Sequence, residues 1–327
     1  MAKYLIFNMS TKVNLNKKYQ KKTDIEHILD VPDTYIGKID IDEKQGFILK
    51  DKTENSIGDE SNIKMVYKTF SWIPGMFKCF DEGIVNARDH IIRMQQLRKQ
   101  NKGKKNIIQV KNVDITVDPE TGVITMKNDG NGIDIAKHPE HKLWIPEMIF
   151  GHLRTSTNYD KDEKKIVGGK NGFGFKLVLI YSLWGEIETV DATRGLKYTQ
   201  RFENNLSKIN KPNVRKSKAT PYTKVSWLPD YKRFGITDLK SEIFHNMFRM
   251  FKKRTYDVAA VTDKSIKVTF NKSVVPVRTF ENYIDMFIGS KTDTKRVYEK
   301  FNDRWEYAVC ISPLDEFTHI SFVNGIN

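Results

Sequence analysis

Apolar residues recur along the chain with two periods, and each period marks a kind of element. Over residues 74–97 they fall at helical spacing: Phe77, Phe80, Ile84 and Ile91 share a face, and Pro74 suits a first helical turn. The pattern predicts a helix through MFKCFDEGIVNARDHIIRMQQL, then a charge run, RKQNKGKKN, that reads as a solvated loop. Residues 107–118, IIQVKNVDITVD, and 122–129, GVITMKND, alternate instead around Pro119-Glu120-Thr121-Gly122, which predicts a β-hairpin. Strands are also expected at KMVYKTF, GEIETVDA, KYTQRF and YTKVSWL, with a long helix over roughly residues 238–258. Thr23 and Glu26 form a capping-box pattern opening a short helix that Pro32 stops. Residues 42–62 read as a polar connection, and residues 1–22, lysine-rich around Tyr19, as an extended arm. After Asp263 the texture changes to short strands around NYIDMFI, which predicts a second, strand-rich unit whose pattern is incomplete at Asn327. The expected division is therefore an arm at 1–22, a main domain at 23–262 and the start of another at 263–327.

A content of 39% hydrophobic and 11% aromatic residues in 327 is enough for a sizeable core, in one large or two ordinary domains. The 55 basic against 41 acidic residues leave a formal charge of +14. That balance suits a polyanionic partner such as nucleic acid, and equally a lysine-rich solvated surface. Two cysteines, Cys79 and Cys310, suggest no disulfide framework and a reducing compartment. No stretch approaches the roughly 20 apolar residues of a membrane span, and MAKYLIFNMS is too short a start for a signal peptide. The expectation is a chain that is not secreted and has no membrane partner.

Four short features carry candidate chemistry. Glu82, Asn86 and Asp89 fall at i, i+4 and i+7 on one helix face, opposite the apolar face that is expected to lie on a sheet. Such a stripe is either a site or a solvated surface; Gly83 within it costs about 1 kcal/mol against alanine and marks a close approach or simple tolerance. Asn128, Gly130 and Gly132 make N-x-G-x-G, which lets backbone approach a flat ligand or merely turns the chain. Ser156, Thr157 and Asn158 offer groups that bond phosphate oxygens or cap a loop. Residues 166–176, IVGGKNGFGFK, place Gly169, Gly172 and Gly174 as G-x-x-G-x-G ahead of the helical segment FKLVLIYS. This is neither the Rossmann order nor a Walker A loop, since Phe175 stands where lysine is needed, and no H-R-D or D-F-G accompanies it. Glycines before a helix start do expose N–H donors to an anion.

In this order, the helix box, the N-x-G-x-G turn and the late glycine loop resemble the ATPase fold shared by gyrase, Hsp90, MutL and sensor histidine kinases. Within it, YQKKTDIEHILDVPDTYIG, IPEMIFGHLRTSTNYDKDEKK, GGKNGFGFK and HISFVNGIN resemble the eukaryotic-type, type IIA DNA topoisomerases, from about residue 19 onward. The resemblance implies an α+β fold, a Bergerat-type ATPase sandwich with a mixed sheet and helices on one face, followed by the beginning of an α/β transducer domain. It implies ATP and Mg²⁺ as cofactors, a homodimer closed by nucleotide, and double-stranded DNA held without sequence reading.

It also implies roles. Glu82 would be the general base that orients and deprotonates the attacking water, Asn86 would hold Mg²⁺, and Asn128 would read the adenine edge. Ser156, Thr157 and Asn158 would contact ribose and phosphates. Gly169, Lys170, Asn171, Gly172, Phe173, Gly174, Phe175 and Lys176 would wrap the triphosphate, and Tyr19 would reach the partner's nucleotide. The chain departs from the family's usual residues at Gly83, Lys170, Phe173 and Phe175, and Phe175 is expected to sit close to the phosphates. The family's second-domain lysine and its cleavage segments would lie beyond residue 327, so the resemblance implies an N-terminal piece that hydrolyses ATP slowly and does not cleave DNA. Localisation would be nuclear for a cellular source, and a host compartment or the virion for a viral one. A chaperone or mismatch-repair ATPase of the same fold, or a non-catalytic nucleic-acid binder, are the competing readings.

Overall fold

The structure is a computed structural model that describes residues 21–50, 63–101, 107–153, 173–302 and 305–326. Helix α1, Asp24–Asp30, begins with the expected capping box: Glu26 N–H donates to the Thr23 hydroxyl at 3.3 Å and Thr23 N–H donates to the Glu26 carboxylate at 2.8 Å. Its buried Ile28 is tied to the rest of the molecule through the Tyr181 hydroxyl, which donates to the Ile28 carbonyl. Residues 42–49 correct the expectation of a polar connection. They form β1, Asp42–Leu49, paired antiparallel with β2, Met65–Trp72. Ile48 and Leu49 supply the buried end, with Phe47 half-buried beside them, while the exposed Glu43, Lys44 and Gln45 give this stretch its loop-like composition.

Helix α2, Pro74–Gln100, follows, then the predicted hairpin of β3, Asn112–Val117, and β4, Ile124–Asp129. Two short helices, α3 at Ile145–Gly151 and α4 at Gly174–Ile180, precede β5, Ser182–Asp191, and β6, Leu196–Glu203. Short strands β7, Lys208–Ile209, and β8, Asn213–Lys216, lead to β9, Tyr222–Pro229. Helix α5, Glu242–Ala260, is capped by the Ser241 hydroxyl, which accepts from Phe244 N–H. Strands β10, Lys267–Phe270, and β11, Ser273–Val274, helix α6, Phe280–Ile288, and a hairpin of β12, Arg296–Asn302, and β13, Trp305–Cys310, complete the order.

Among the described residues the main sheet has nine strands in the order β11-β10-β3-β4-β9-β5-β6-β7, with β8 also on β6; β10 runs parallel to β3 and the other pairs are antiparallel. Residues 126, 225 and 187 align across β4, β9 and β5 and are buried on the helix side. The next row, Lys127, Lys224 and Glu188, has the opposite parity and faces away. The result is the expected α+β sandwich, a mixed sheet with helices on one face. The sheet does not end at residue 263, however. Strands β10 and β11 extend its β3 edge, and α6 packs on α5. The pairing partner of β10 lies about 155 residues back in sequence, which local patterning does not register. The β12–β13 hairpin is a separate two-stranded sheet.

Among the described residues no helix is long and apolar enough to cross a membrane. Cys79 is buried, and that burial pushes its thiol far above the usual range, which makes it a core residue rather than a reactive one.

Candidate active site

The site is built where α2 runs along β4. A Cβ on Gly83 would stand 2.8 Å from Met126 Sδ and 3.3 Å from Trp227 Cη2, so the mid-helix glycine lets the helix close onto the sheet. Further along, a Cβ on Gly130 would lie 2.9 Å from His90 Nε2, where the same helix passes the end of β4. Asn128 lies between these contact points on the strand, as Asn86 does on the helix. Phe80, three residues before Gly83, also stacks on Phe251 of α5, with centroids 4.3 Å apart, so the apolar side of α2 packs on that helix as well as on the sheet. This leaves the flank of α2 with Glu82 and Asn86 turned toward α4.

On that flank Glu82 divides its two oxygens. Oε1 pairs with Lys78 Nζ at 2.6 Å, and Oε2 lies 2.7 Å from the place a Cβ of Gly174 would occupy. Asn86 Nδ2 is 3.8 Å from the same point. Burial disfavours the Lys78 ammonium, but the Glu82 carboxylate outweighs it and the net shift of Lys78 is upward. The first turn of α4 thus abuts the carboxylate and amide of α2, with no side chain on residue 174 between them. Phe173 caps α4 without a side-chain hydrogen bond, so its first N–H groups have no cap of that kind. Lys176, one turn in, is buried, and desolvation alone lowers its ammonium to about 8.

Phe175 requires a correction. Its ring points into the core, edge-on to Phe150 and to Trp227 at 5.4 Å each, and its exposure is 7%. Because consecutive helical side chains diverge by about 100°, Gly174 can face Glu82 while residue 175 faces the sheet. Phe175→Ala is expected to cost about 3–5 kcal/mol in urea unfolding and Phe175→Leu under about 1.5, with nucleotide affinity of the folded protein unchanged. Weakened nucleotide binding by a stably folded Phe175→Leu would return the ring to the phosphates.

At the sheet end, the buried Asn128 donates through Nδ2 to the Asp129 carbonyl at 2.8 Å. Across the sheet its row continues through Thr223 to Thr189, whose hydroxyls lie 3.1 Å apart. These two threonines are absent from the sequence reading, although they complete a polar row on the helix side. The loop beyond Asn128 is pinned to the protein. Ile133 N–H donates to the Thr189 hydroxyl at 3.0 Å, Ile135 N–H to Asp191 at 2.9 Å, and a Cβ on Gly132 would lie 2.0 Å from the Val190 carbonyl oxygen. The close approaches that Gly130 and Gly132 permit within the protein are to α2 and to β5.

The chain is 42% identical over 316 residues to DNA topoisomerase 2 of Acanthamoeba polyphaga mimivirus, covering 96% of this chain and 23% of the viral protein's length. The fold superposes on the ATPase region of Saccharomyces cerevisiae topoisomerase II with a TM-score of 0.82 and 39% identity, covering 95% of this chain and 75% of that one. The chain belongs to the eukaryotic-type DNA topoisomerase II family and matches its ATPase region. A second solved structure, the ATPase and transducer domains of DNA topoisomerase II from Balamuthia mandrillaris, gives a TM-score of 0.80 at 32% identity, covering 95% of this chain and 72% of that one. No protein-family model matches the chain.

Of the residues that the topoisomerase II resemblance singles out, Glu82, Asn86, Asn128, Phe173, Gly174, Phe175 and Lys176 are described by the structure. Glu82, Asn86 and Gly174 meet; Asn128 lies on the sheet beneath the same helix. Tyr19, Ser156, Thr157, Asn158, Gly169, Lys170, Asn171 and Gly172 lie outside the described residues. Among the described residues no group of three or more His, Cys, Asp or Glu forms a metal cluster. The amide of Asn86, which meets Glu82 at Gly174, offers a hard oxygen donor of the kind Mg²⁺ takes beside phosphate and water oxygens.

Proposed function

We propose that this chain is the ATP-operated gate of a type II DNA topoisomerase. What supports it most directly is the contact at Gly174, which brings the N-terminal turn of a helix to a carboxylate and an amide on one flank of α2. A phosphate group held by the backbone N–H groups of that turn would lie beside Glu82 and Asn86. In this reading Glu82 orients the attacking water and takes its proton. Asn86 holds Mg²⁺ through its amide oxygen, and the bound ion would neutralise charge on the transferring phosphoryl group. The polar row of Asn128, Thr223 and Thr189 meets the adenine edge. Ser156, Thr157 and Asn158 contact ribose and phosphates, residues 169–176 wrap the triphosphate, and Tyr19 crosses to the partner's nucleotide.

Nucleotide binding then closes two chains into a homodimer around one DNA duplex, held through its phosphates without sequence reading; the formal charge of +14 is compatible with that partner. The site of action would be the nucleus for a cellular source, or a host compartment or virion for a viral one. The gate is tested by size-exclusion chromatography with and without a non-hydrolysable ATP analogue. The dimer is expected only with the analogue and Mg²⁺, and a monomer that binds the analogue without dimerising would exclude the gate for this chain.

A further inference from the structure

The motif HISFVNGIN carries part of the family resemblance yet has no place in the nucleotide site, and its position in the fold suggests one. Val323 and Ile326 exchange both backbone hydrogen bonds, at 2.9 and 3.0 Å, around a tight turn in which Asn324 and Gly325 have φ of 53° and 80°. The turn lies against two buried arginines. Arg88 of α2 donates through Nη1 to the Asn324 carbonyl at 2.7 Å, and Arg254 of α5 donates through Nη2 to the Gly325 carbonyl at 2.9 Å. Arg254 also donates through Nε to Asp81 at 2.6 Å. Asp81 and Arg88 are seven residues apart and share one face of α2, about 100° round from Glu82.

These arginines have few other acceptors. Arg88 Nε and Arg254 Nη1 have no hydrogen-bond partner among the described residues, and the remaining bond from Arg88, to the Val261 carbonyl, is long at 3.5 Å. A guanidinium is always charged and tolerates burial only where its donors are used. If the turn left, Arg88 would lose its one short acceptor and Arg254 would keep only Asp81, so both side chains, and the helix faces that carry them, would have to relax. Asp81 immediately precedes Glu82 in the same helical turn. A displacement of α2 by a fraction of an ångström is enough to misplace a general base.

We propose that Arg88 and Arg254 are positioning residues for Glu82, clamping the 323–326 turn against α2 and α5 so that docking of the turn sets the catalytic helix. The proposal rests on the reading of Glu82 as general base. Gly325→Ala tests it: its Cβ would stand 2.3–2.5 Å from the Nε, Cζ and Cδ of Arg88, at a φ that alanine resists, so the turn cannot seat on Arg88 as it does now. Three measurements on the 327-residue chain decide the outcome. Turnover number for ATP is expected to fall about tenfold or more, dissociation constant for a non-hydrolysable analogue to stay within about twofold, and amide exchange over residues 81–88 to quicken. Unchanged exchange in α2 overturns the clamp whatever the turnover. Parallel losses of affinity and turnover overturn it too, since they mark general loosening. Glu82→Gln, measured alongside, separates the two claims: if it retains full turnover, the base assignment has failed, and the exchange result still decides whether the turn is coupled to the helix.

Discussion

Glu82→Gln is expected to lower the rate of ATP hydrolysis by about 10²–10⁴ while leaving affinity for a non-hydrolysable analogue within about threefold. The substitution keeps the shape of the side chain and removes its capacity to take a proton. Oε2 is the atom aimed at the first turn of α4, 2.7 Å from where a Cβ of Gly174 would stand, whereas Oε1 is occupied by Lys78. The variant also loses that ion pair, so a control is needed. The Lys78 side chain is 44% exposed, and an i, i+4 pair so placed contributes only about 0.3–0.5 kcal/mol. Lys78→Met should therefore barely move stability, and a fall in turnover much smaller than that of Glu82→Gln would assign the larger loss to the carboxylate. Steady-state hydrolysis measured beside analogue binding separates the two terms. Parental turnover in Glu82→Gln would remove Glu82 from the chemistry.

The largest effect on stability is expected at Gly132, and Gly235 provides the comparison. Both have a φ of +73°, so replacement by alanine costs each the left-handed penalty of about 1–2 kcal/mol. Their surroundings differ. A Cβ on Gly235 meets nothing within 4 Å, whereas one on Gly132 would lie 2.0 Å from the Val190 carbonyl oxygen and 2.9 Å from its carbon. Those atoms belong to the backbone of β5, which is fixed in the sheet by β6 and β9 and cannot swing away as a side-chain end can. Gly132→Ala should therefore exceed Gly235→Ala by at least about 3 kcal/mol in urea unfolding, or yield no soluble protein. Equal shifts in the two variants would show that the loop after Asn128 is free to move off β5. Because that loop carries the turn next to Asn128, a partly folded Gly132→Ala protein should also bind nucleotide less tightly.

Gly83 and Gly132 illustrate how the site could and could not be read beforehand. Each stood out in the sequence as a glycine in a stretch with chemistry, and each proves to permit a close approach. What approaches was not legible. Gly83 admits Met126 and Trp227, which come from two other strands, and Gly132 admits the backbone of β5 where a flat ligand was the sequence-level alternative. Phe175 departs from its sequence-based expectation for a related reason. Its place in a glycine-rich string suggested the phosphates, but the direction of a side chain is set by its helical phase, and α4 turns it toward Phe150 and Trp227. Thr189 and Thr223 carry no mark in the sequence, because their row with Asn128 exists only once β4, β9 and β5 are adjacent, an order that runs against the order of the chain.

The sequence by itself determined the local and periodic features: the capping box at Thr23, the hairpin around residues 119–122, the polar stripe of α2, and the ordered motifs of a topoisomerase II ATPase region. These depend on residues within one or two turns of each other, where intrinsic preference and spacing dominate. Tertiary structure alone decided the rest. It made β1 a strand through pairing with β2, extended the sheet past residue 263 by setting β10 beside β3, and brought Gly174 to Glu82 across some ninety residues. Such contacts join segments whose sequences carry no mark of each other, and they are fixed by burial and backbone pairing, which come into being only as the layers pack.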